Sequence, residues 1–362
     1  MVVSELLDVV EQGFVATDGT SPRQQLLRQH RLQPFSPGYF TPDSSLFSFA
    51  AAAHQGAVAA NAPRHDLPPL LASPLSPAGE TELSVERLRR FFAHPCKAFI
   101  QERLGVTLAK GEEGVSEREV LTLDGLGRYQ LADTLLQAAL RNEEPSVWQE
   151  FLAAEGRLPV GAPGHIAFDT LWRQSTKLAA TIHPHLAAPR GLAIDLTLTG
   201  IRLRGEISLQ GESGPLLYRN GSLRRKDLLD SWIVHLLVNC VTAPTASRLF
   251  GRETSILFPP VSGACARLEE LVGFWQQGNS APLPFIPSAS SLYVETLNKG
   301  KVADEALERV RNAWNDSWSS YGAEMNDPWL NLCGGETLLD SAQFAPLAEA
   351  IFTPLFATQE EG

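Results

Sequence analysis

The stretch that most limits how this chain can fold is residues 192–209, "LAIDLTLTGIRLRGEISL". Leu192, Ile194, Leu196 and Leu198 alternate with Ala193, Asp195, Thr197 and Thr199, and Gly200 follows. Beyond the glycine, Ile201, Leu203, Ile207 and Leu209 alternate with Arg202, Arg204, Glu206 and Ser208. Successive side chains of a strand point to opposite faces, so the pattern predicts two half-buried strands joined at a glycine turn. A hairpin with one apolar face needs cover from other elements.

The neighbouring segments supply that cover and read mostly as helices. His165 to Ile182 has helical spacing, with Phe168, Leu171, Trp172 and Leu178 on one face. After the "QGESG" turn, "GPLLYR" is a third short strand; a strong helix runs from about Arg224 to Val241, and "TSILFPP" (254–260) is a fourth strand. The order is α-β-β-β-α-β. Upstream, Ser84 is placed to cap a helix bearing Val85, Leu88, Phe91 and Phe92, and Asp124 to cap one bearing Leu126, Tyr129, Leu135, Leu136 and Leu140. Pro95 either kinks the first of these or opens a second turn to Leu104, with Gly105 as the stop. Ser146 to Gly156 reads as a short helix around Trp148 and Leu152. Downstream, 264–276 repeats Leu268, Leu271, Val272 and Trp275; 302–319 carries Val302, Leu307, Val310, Trp314 and Trp318; a last helix precedes Phe356.

The N-terminal end has a different texture. "MVVSELLDVVEQGF" is one amphipathic helix with Val3, Leu6, Leu7 and Val10 on a face, and 61–80 is Pro-rich and aperiodic. The expected division is an arm or the end of a preceding domain over 1–60, a linker over 61–80, and a main domain over 81–362 with its core at about 164–260. The expected fold class is α+β with an α/β-like core, a helix-rich domain around the α-β-β-β-α-β succession.

Charge bears on partners. The 362 residues hold 30 Lys and Arg against 41 Asp and Glu, a net charge of −11. Proteins that hold DNA through their own surface present excess cations, so any DNA contact here is local or comes through partner subunits. Cys96, Cys240, Cys265 and Cys333 are far apart and form no CxxC, which argues against a zinc site and suits buried thiols in a reducing compartment. No apolar run is long enough to span a bilayer and no signal-peptide pattern occurs, so the expected location is cytoplasmic.

Several ordered blocks carry a family likeness. "LSVERLRRFFAHPCKAFIQERLGV" (83–106) resembles the helix that opens the nuclease-like domains of the RecB, AddB and RecC family. "LTLDGLGRYQLADTLLQAAL" (121–140) and "LPVGAPGHIAFDTLW" (158–172) resemble the next two blocks, and "VVSELLD" (2–8) and "FSPGYF" (35–40) resemble the end of the helicase-like part before them. Together they are similar to the C-terminal third of the RecC family, the gamma subunits of exodeoxyribonuclease V. The resemblance implies a PD-(D/E)xK nuclease-like core, preceded by a remnant of a helicase-like domain.

In active members of that fold, carboxylates on two strands hold a divalent metal beside the scissile phosphate and a lysine helps position the attacking water. Carried over, the Gly-x3-His-x3-Glu block falls on Gly161, His165 and Asp169. The Gly-x-Ile-Asp-Leu strand falls on Gly205 to Leu209 and puts Ser208 where the aspartate would be. The Leu-Leu-Asp-x-Lys strand falls on Leu216 to Asn220 and replaces aspartate and lysine with Tyr218 and Asn220. Hard cations need oxygen anions, so the resemblance implies a site without catalytic residues and without a metal of its own. Magnesium and ATP would then be used by RecB-like and RecD-like partners; the chain has no GxxxxGK[ST].

Three alternatives remain open from sequence. Arg219, Arg224, Arg225 and Lys226 form the most basic run; it reads as a solvated helix start, but cations there oppose the helix dipole, which leaves a DNA or acidic-partner contact as the alternative. A rearranged active nuclease would use His165, Asp169, Asp195 and Glu206. A pure interaction module would touch no DNA.

Overall fold

A computed structural model describes residues 2–15, 17–42, 46–63, 70–108, 121–211, 214–315 and 324–361. Residues 64–69 of the expected linker, Glu212 and Ser213 of the expected turn, and Trp318 lie outside the described residues. The chain divides into two compact units, Met1–Pro68 and Pro69–Gly362.

The first unit holds helices α1 (Val2–Gly13), α2 (Pro22–Leu26) and α3 (Ala51–Asn61). Ser21 caps α2 by accepting from the Arg23 amide at 3.2 Å, and the Arg23 side chain pairs with Asp8 and Glu11 of α1. Ala57 is its buried apolar residue among those described, while Leu6, Val9 and Phe14 are exposed. So little burial gives this unit no core to speak of.

The second unit opens with β1 (Glu82–Ser84), α4 (Val85–Ala93), α5 (Pro95–Ala98), α6 (Gly125–Leu140), α7 (Pro145–Ala154) and α8 (Ala162–Ile182). Ser84 accepts from the Arg87 amide at 3.1 Å and Asp124 from Gly127 at 2.7 Å, so both expected caps form. Pro95 opens a new turn that continues through a wider-pitched segment, Phe99–Arg103, and Gly105 follows in the left-handed region. Then come β2 (Leu186–Leu198), β3 (Ile201–Gly211), β4 (Leu216–Tyr218), α9 (Arg225–Val241), β5 (Ser247–Phe250) and β6 (Ser255–Phe258). Helices α10 (Ala264–Gly278), α11 (Pro287–Asn298), α12 (Ala303–Asn315), α13 (Pro328–Leu332) and α14 (Phe344–Thr358) and strand β7 (Glu360–Glu361) complete it.

The hairpin pairs antiparallel in the register that the alternation requires, Leu196 opposite Leu203 and Asp195 opposite Arg204. Ile194, Leu198, Ile201, Leu203, Ile207 and Leu209 are buried, Leu192 and Leu196 pack half-buried beside them, and Ala193, Asp195, Thr197, Arg202, Arg204, Glu206 and Ser208 are exposed. Helix α9 is apolar nearly all round, from Leu228 to Val238, which is the signature of a central rather than a surface helix. It shares one core with α4, α10, α11, α14 and both sheets, anchored by Trp232, Trp275, Phe91, Phe92 and Phe285.

The strands form two small sheets, β1-β3-β2 and β4-β5-β6-β7. The order α-β-β-β-α-β thus occurs along the chain, but β4 pairs in parallel with β5 and lies in the other sheet from the hairpin. Strand β5 and helix α11 stand where the sequence reading had none, and the last helix runs on through Phe356 rather than ending before it. Cys240 and Cys265 are joined by a disulfide, against the expectation of buried thiols, and Cys265 is exposed. Cys96 and Cys333 are free. No helix among the described residues is long and apolar enough to cross a membrane.

Candidate functional site

The positions that would carry metal chemistry sit on β3, on β4 and just after it, and at the start of α8. Ser208 lies on the exposed face of β3 opposite Gly191 of β2. Tyr218 ends β4, with its hydroxyl 3.4 Å from the side-chain oxygens of Gln137 on α6 and Gln210 on β3. Asn220, two residues on, is fully buried. Its amide nitrogen donates to the Ala132 carbonyl of α6 at 2.6 Å and to the Ser175 hydroxyl of α8 at 2.8 Å. Ser175 in turn donates to the same carbonyl at 3.2 Å. One amide therefore ties the end of β4 to two helices. Its Oδ1 has no partner among the described residues.

This donor set does not fit a hard divalent cation. A serine hydroxyl, a phenol and an amide bring no negative charge, and the amide's nitrogen end is the one engaged. Among the described residues no three His, Cys, Asp or Glu side chains stand close enough to share a metal ion.

The acids and the imidazole of a rearranged site are dispersed and engaged elsewhere. His165 is exposed in the first turn of α8, its Nδ1 2.9 Å from the Gln149 amide of α7. Asp169 is exposed one turn further along α8. Asp195 accepts both ends of a bidentate contact from Arg202 at 2.7 and 2.8 Å, which holds its carboxyl below the usual range. Glu206 lies across Gly191 so closely that a Cβ there would come within 2.0 Å of its Oε1.

The basic run is largely neutralised from within. Arg219 is stacked 4.7 Å over the Tyr129 ring and pairs with Asp227 at 2.8 Å. Arg224 pairs with the same carboxylate at 3.0 Å, and its backbone amide donates to Asp227 at 2.9 Å. Asp227 stands at the third position of α9, where an acid satisfies a free amide and complements the helix dipole. Burial nevertheless pushes its carboxyl upward, against the pull of Arg219. Arg225 pairs with Glu295 of α11 at 2.7 Å, whereas Lys226 is exposed without an ion pair among the described residues. The conflict between cations and helix start is thus resolved by Asp227.

Sequence reading missed Asp227 and Ser175. Both left a signal: an acid three residues after Arg224, and a hydroxyl in the apolar stripe Phe168, Leu171, Leu178.

Comparison with known proteins gives consistent matches. A family model described as the RecC C-terminal domain matches residues 80–298. The RecBCD enzyme subunit RecC of Escherichia coli (strain K12) is 31% identical over 216 residues, covering 59% of this chain and 19% of that protein. The RecC subunit of Mycolicibacterium smegmatis is 29% identical over 315 residues, covering 82% of this chain and 28% of that protein. The RecC subunit of Buchnera aphidicola subsp. Acyrthosiphon pisum (strain APS) is 19% identical over 245 residues, with 67% and 22% covered. The chain spans less than a third of the length of these curated relatives.

Proposed function

The chain belongs to the RecC C-terminal domain family, and on that premise we propose that it is a non-catalytic scaffold and DNA-handling part of a RecBCD-type helicase–exonuclease acting in double-strand break repair and recombination. Its core is read as a PD-(D/E)xK fold that has lost its metal site. RecB-like and RecD-like subunits are the proposed partners, supplying ATP hydrolysis and magnesium-dependent cleavage, with the RecD-like motor docked on this chain and separated strands guided along it in the cytoplasm.

One observation carries the reading. The residue standing where the lysine would be, Asn220, is spent on a buried brace to Ala132 and Ser175. A side chain committed to holding two helices is not free to position a water. DNA contact, in this reading, comes through the assembled complex. Of the four cations in the basic run, Arg224 and Lys226 are exposed, and they are where a phosphate or an acidic partner would meet the start of α9.

Two measurements test the proposal. The chain, used as bait, should retain a RecD-like subunit, and failure to do so would remove the scaffold role. Incubated with linear DNA and Mg²⁺ or Mn²⁺, it should leave the DNA intact. Metal-dependent degradation that disappears in His165→Ala would establish the rearranged nuclease instead.

A further inference from the structure

We propose that Cys240 and Cys265 form a redox-responsive staple, closed by exchange with a low-molecular-weight disulfide and reopened by a low-molecular-weight thiol. The argument starts from placement. Cys240 lies in the last turn of α9 and Cys265 in the first turn of α10, 25 residues apart, with Cα atoms 5.0 Å apart, inside the range that a disulfide spans without backbone movement. The bond is present in this structure and one of its sulfurs belongs to an exposed residue. Accessible disulfides are the labile ones.

The chemistry at Cys265 suits exchange. It is the second residue of a 15-residue helix, where free backbone amides and the helix dipole stabilise a thiolate. In the reduced chain the Cys265 thiolate attacks one sulfur of a small disulfide, forming a mixed disulfide and releasing one small thiolate. The Cys240 thiolate then attacks the Cys265 sulfur and displaces the second small thiolate. Two protein thiols are oxidised, one small disulfide is reduced to two thiols, and the two protons pass to the leaving groups. Reopening runs the same steps backwards.

The other two cysteines serve as an internal contrast. Cys96 is fully buried beside Cys333. A hydrogen bond with Cys333, reinforced by burial, pushes the Cys96 thiol well above the usual range, so it stays a protonated, inert group.

What the staple holds follows from topology. The segment between its two cysteines contains β5 and β6, the middle strands of the sheet to which β4 also belongs. Closing it pins the C-terminal end of α9 to the start of α10 across that pair of strands. Opening it frees the loop and, through β5, loosens the edge on which Asn220 is anchored.

The test uses the full chain equilibrated with reduced or oxidised glutathione, denatured, alkylated with N-ethylmaleimide and weighed intact. All four cysteines should be alkylated after reduced glutathione, and only Cys96 and Cys333 after oxidised glutathione, with the bond mapped to Cys240 and Cys265 by peptide mass. The thermal midpoint should fall by roughly 5 °C on reduction, the loss expected for opening a loop of this size in a unit of this length. That shift should vanish in Cys265→Ser, an exposed site that tolerates the change, and persist in Cys333→Ser. The proposal is overturned if all four thiols remain free under oxidised glutathione or if the bond maps to another pair. It is equally overturned by a bond that resists reduced glutathione in the folded chain, or by a midpoint indifferent to the bond.

Discussion

Asn220, just past the end of β4, and Ser175, in the middle of α8, are joined by a hydrogen bond of 2.8 Å across 45 residues of sequence, and both also donate to the Ala132 carbonyl. The triangle is buried, so each bond forms in a low-dielectric setting where leaving a group unmade is expensive. It links α6, α8 and the β4 sheet at one point.

Removing the brace should therefore cost more than its size suggests. Asn220→Ala is expected to lower unfolding free energy by about 2–3 kcal/mol, the loss of two buried bonds plus a small cavity. Asn220→Lys should cost more still, because it puts an ammonium in a fully buried position where the amide's partners are a backbone carbonyl and a hydroxyl. Urea denaturation followed by circular dichroism reads both. A lysine variant as stable as the parent would show that the amide is dispensable.

Asp227 is the second point of leverage. Asp227→Asn strands the partly buried Arg219 guanidinium and weakens the α9 start, an expected loss of about 2 kcal/mol once solvent screening is allowed for. Arg224→Ala removes only the more exposed partner and should cost less than about 1 kcal/mol. A double-mutant cycle between positions 219 and 227 should return a larger coupling than one between 224 and 227.

His235 makes the core acid-sensitive. It is fully buried between Trp232 and Phe258, with Nδ1 2.7 Å from the Ser247 hydroxyl, and burial lowers its pKa to about 4. The unfolded chain binds a proton near pH 6.5, so between there and 4 it is the unfolded state that holds more protons. Stability is complete above that window and falls as pH drops through it, by up to about 3 kcal/mol from this group. Denaturation midpoints taken from pH 7 to 4 should show the fall, and His235→Gln should flatten it.

Glu324 acts in the opposite direction. It opens a short turn before α13, where burial, with a smaller push from Asp327, raises its pKa to about 8. Asp327 itself is also pushed up by burial, but His94 at 3.0 Å and the amides of Trp329 and Leu330 outweigh that and leave it lowered. Between the ordinary glutamate range and about 8 the folded state binds the extra proton at Glu324. Stability from this group is present at low pH and lost as pH rises through about 8. Glu324→Gln should remove the alkaline loss and leave the variant the more stable protein at pH 9, by up to a few kcal/mol.

The hairpin was legible because period-two alternation is a local signal, and Gly200, at φ +80°, supplied the turn. The caps at Ser84 and Asp124 were legible for the same reason: each is a short side chain reaching an amide three residues on. Strand β5 was not, because "SRLF" is four residues long and its identity depends on β4 and β6 flanking it. Helix α11 begins at Pro287 and is buried on most sides, so it lacks the polar face that marks a surface helix. At the candidate site, that Ser208, Tyr218 and Asn220 bring no carboxylate could be read from residue types alone. The use made of Asn220 could not, since Ala132 contributes a backbone carbonyl that no side-chain pattern encodes. The fate of the basic run turned on Asp227 and Glu295, the latter brought in by folding alone.

The amide at position 220 and an ammonium at the same position exclude each other, because the space between α6 and α8 is already closed around a planar group that donates two bonds. A single codon change towards lysine would break the junction of three elements before it could offer anything to a phosphate. A lysine could be accommodated only after the helices were repacked, so the junction works as a ratchet: easy to maintain, and hard to replace one step at a time.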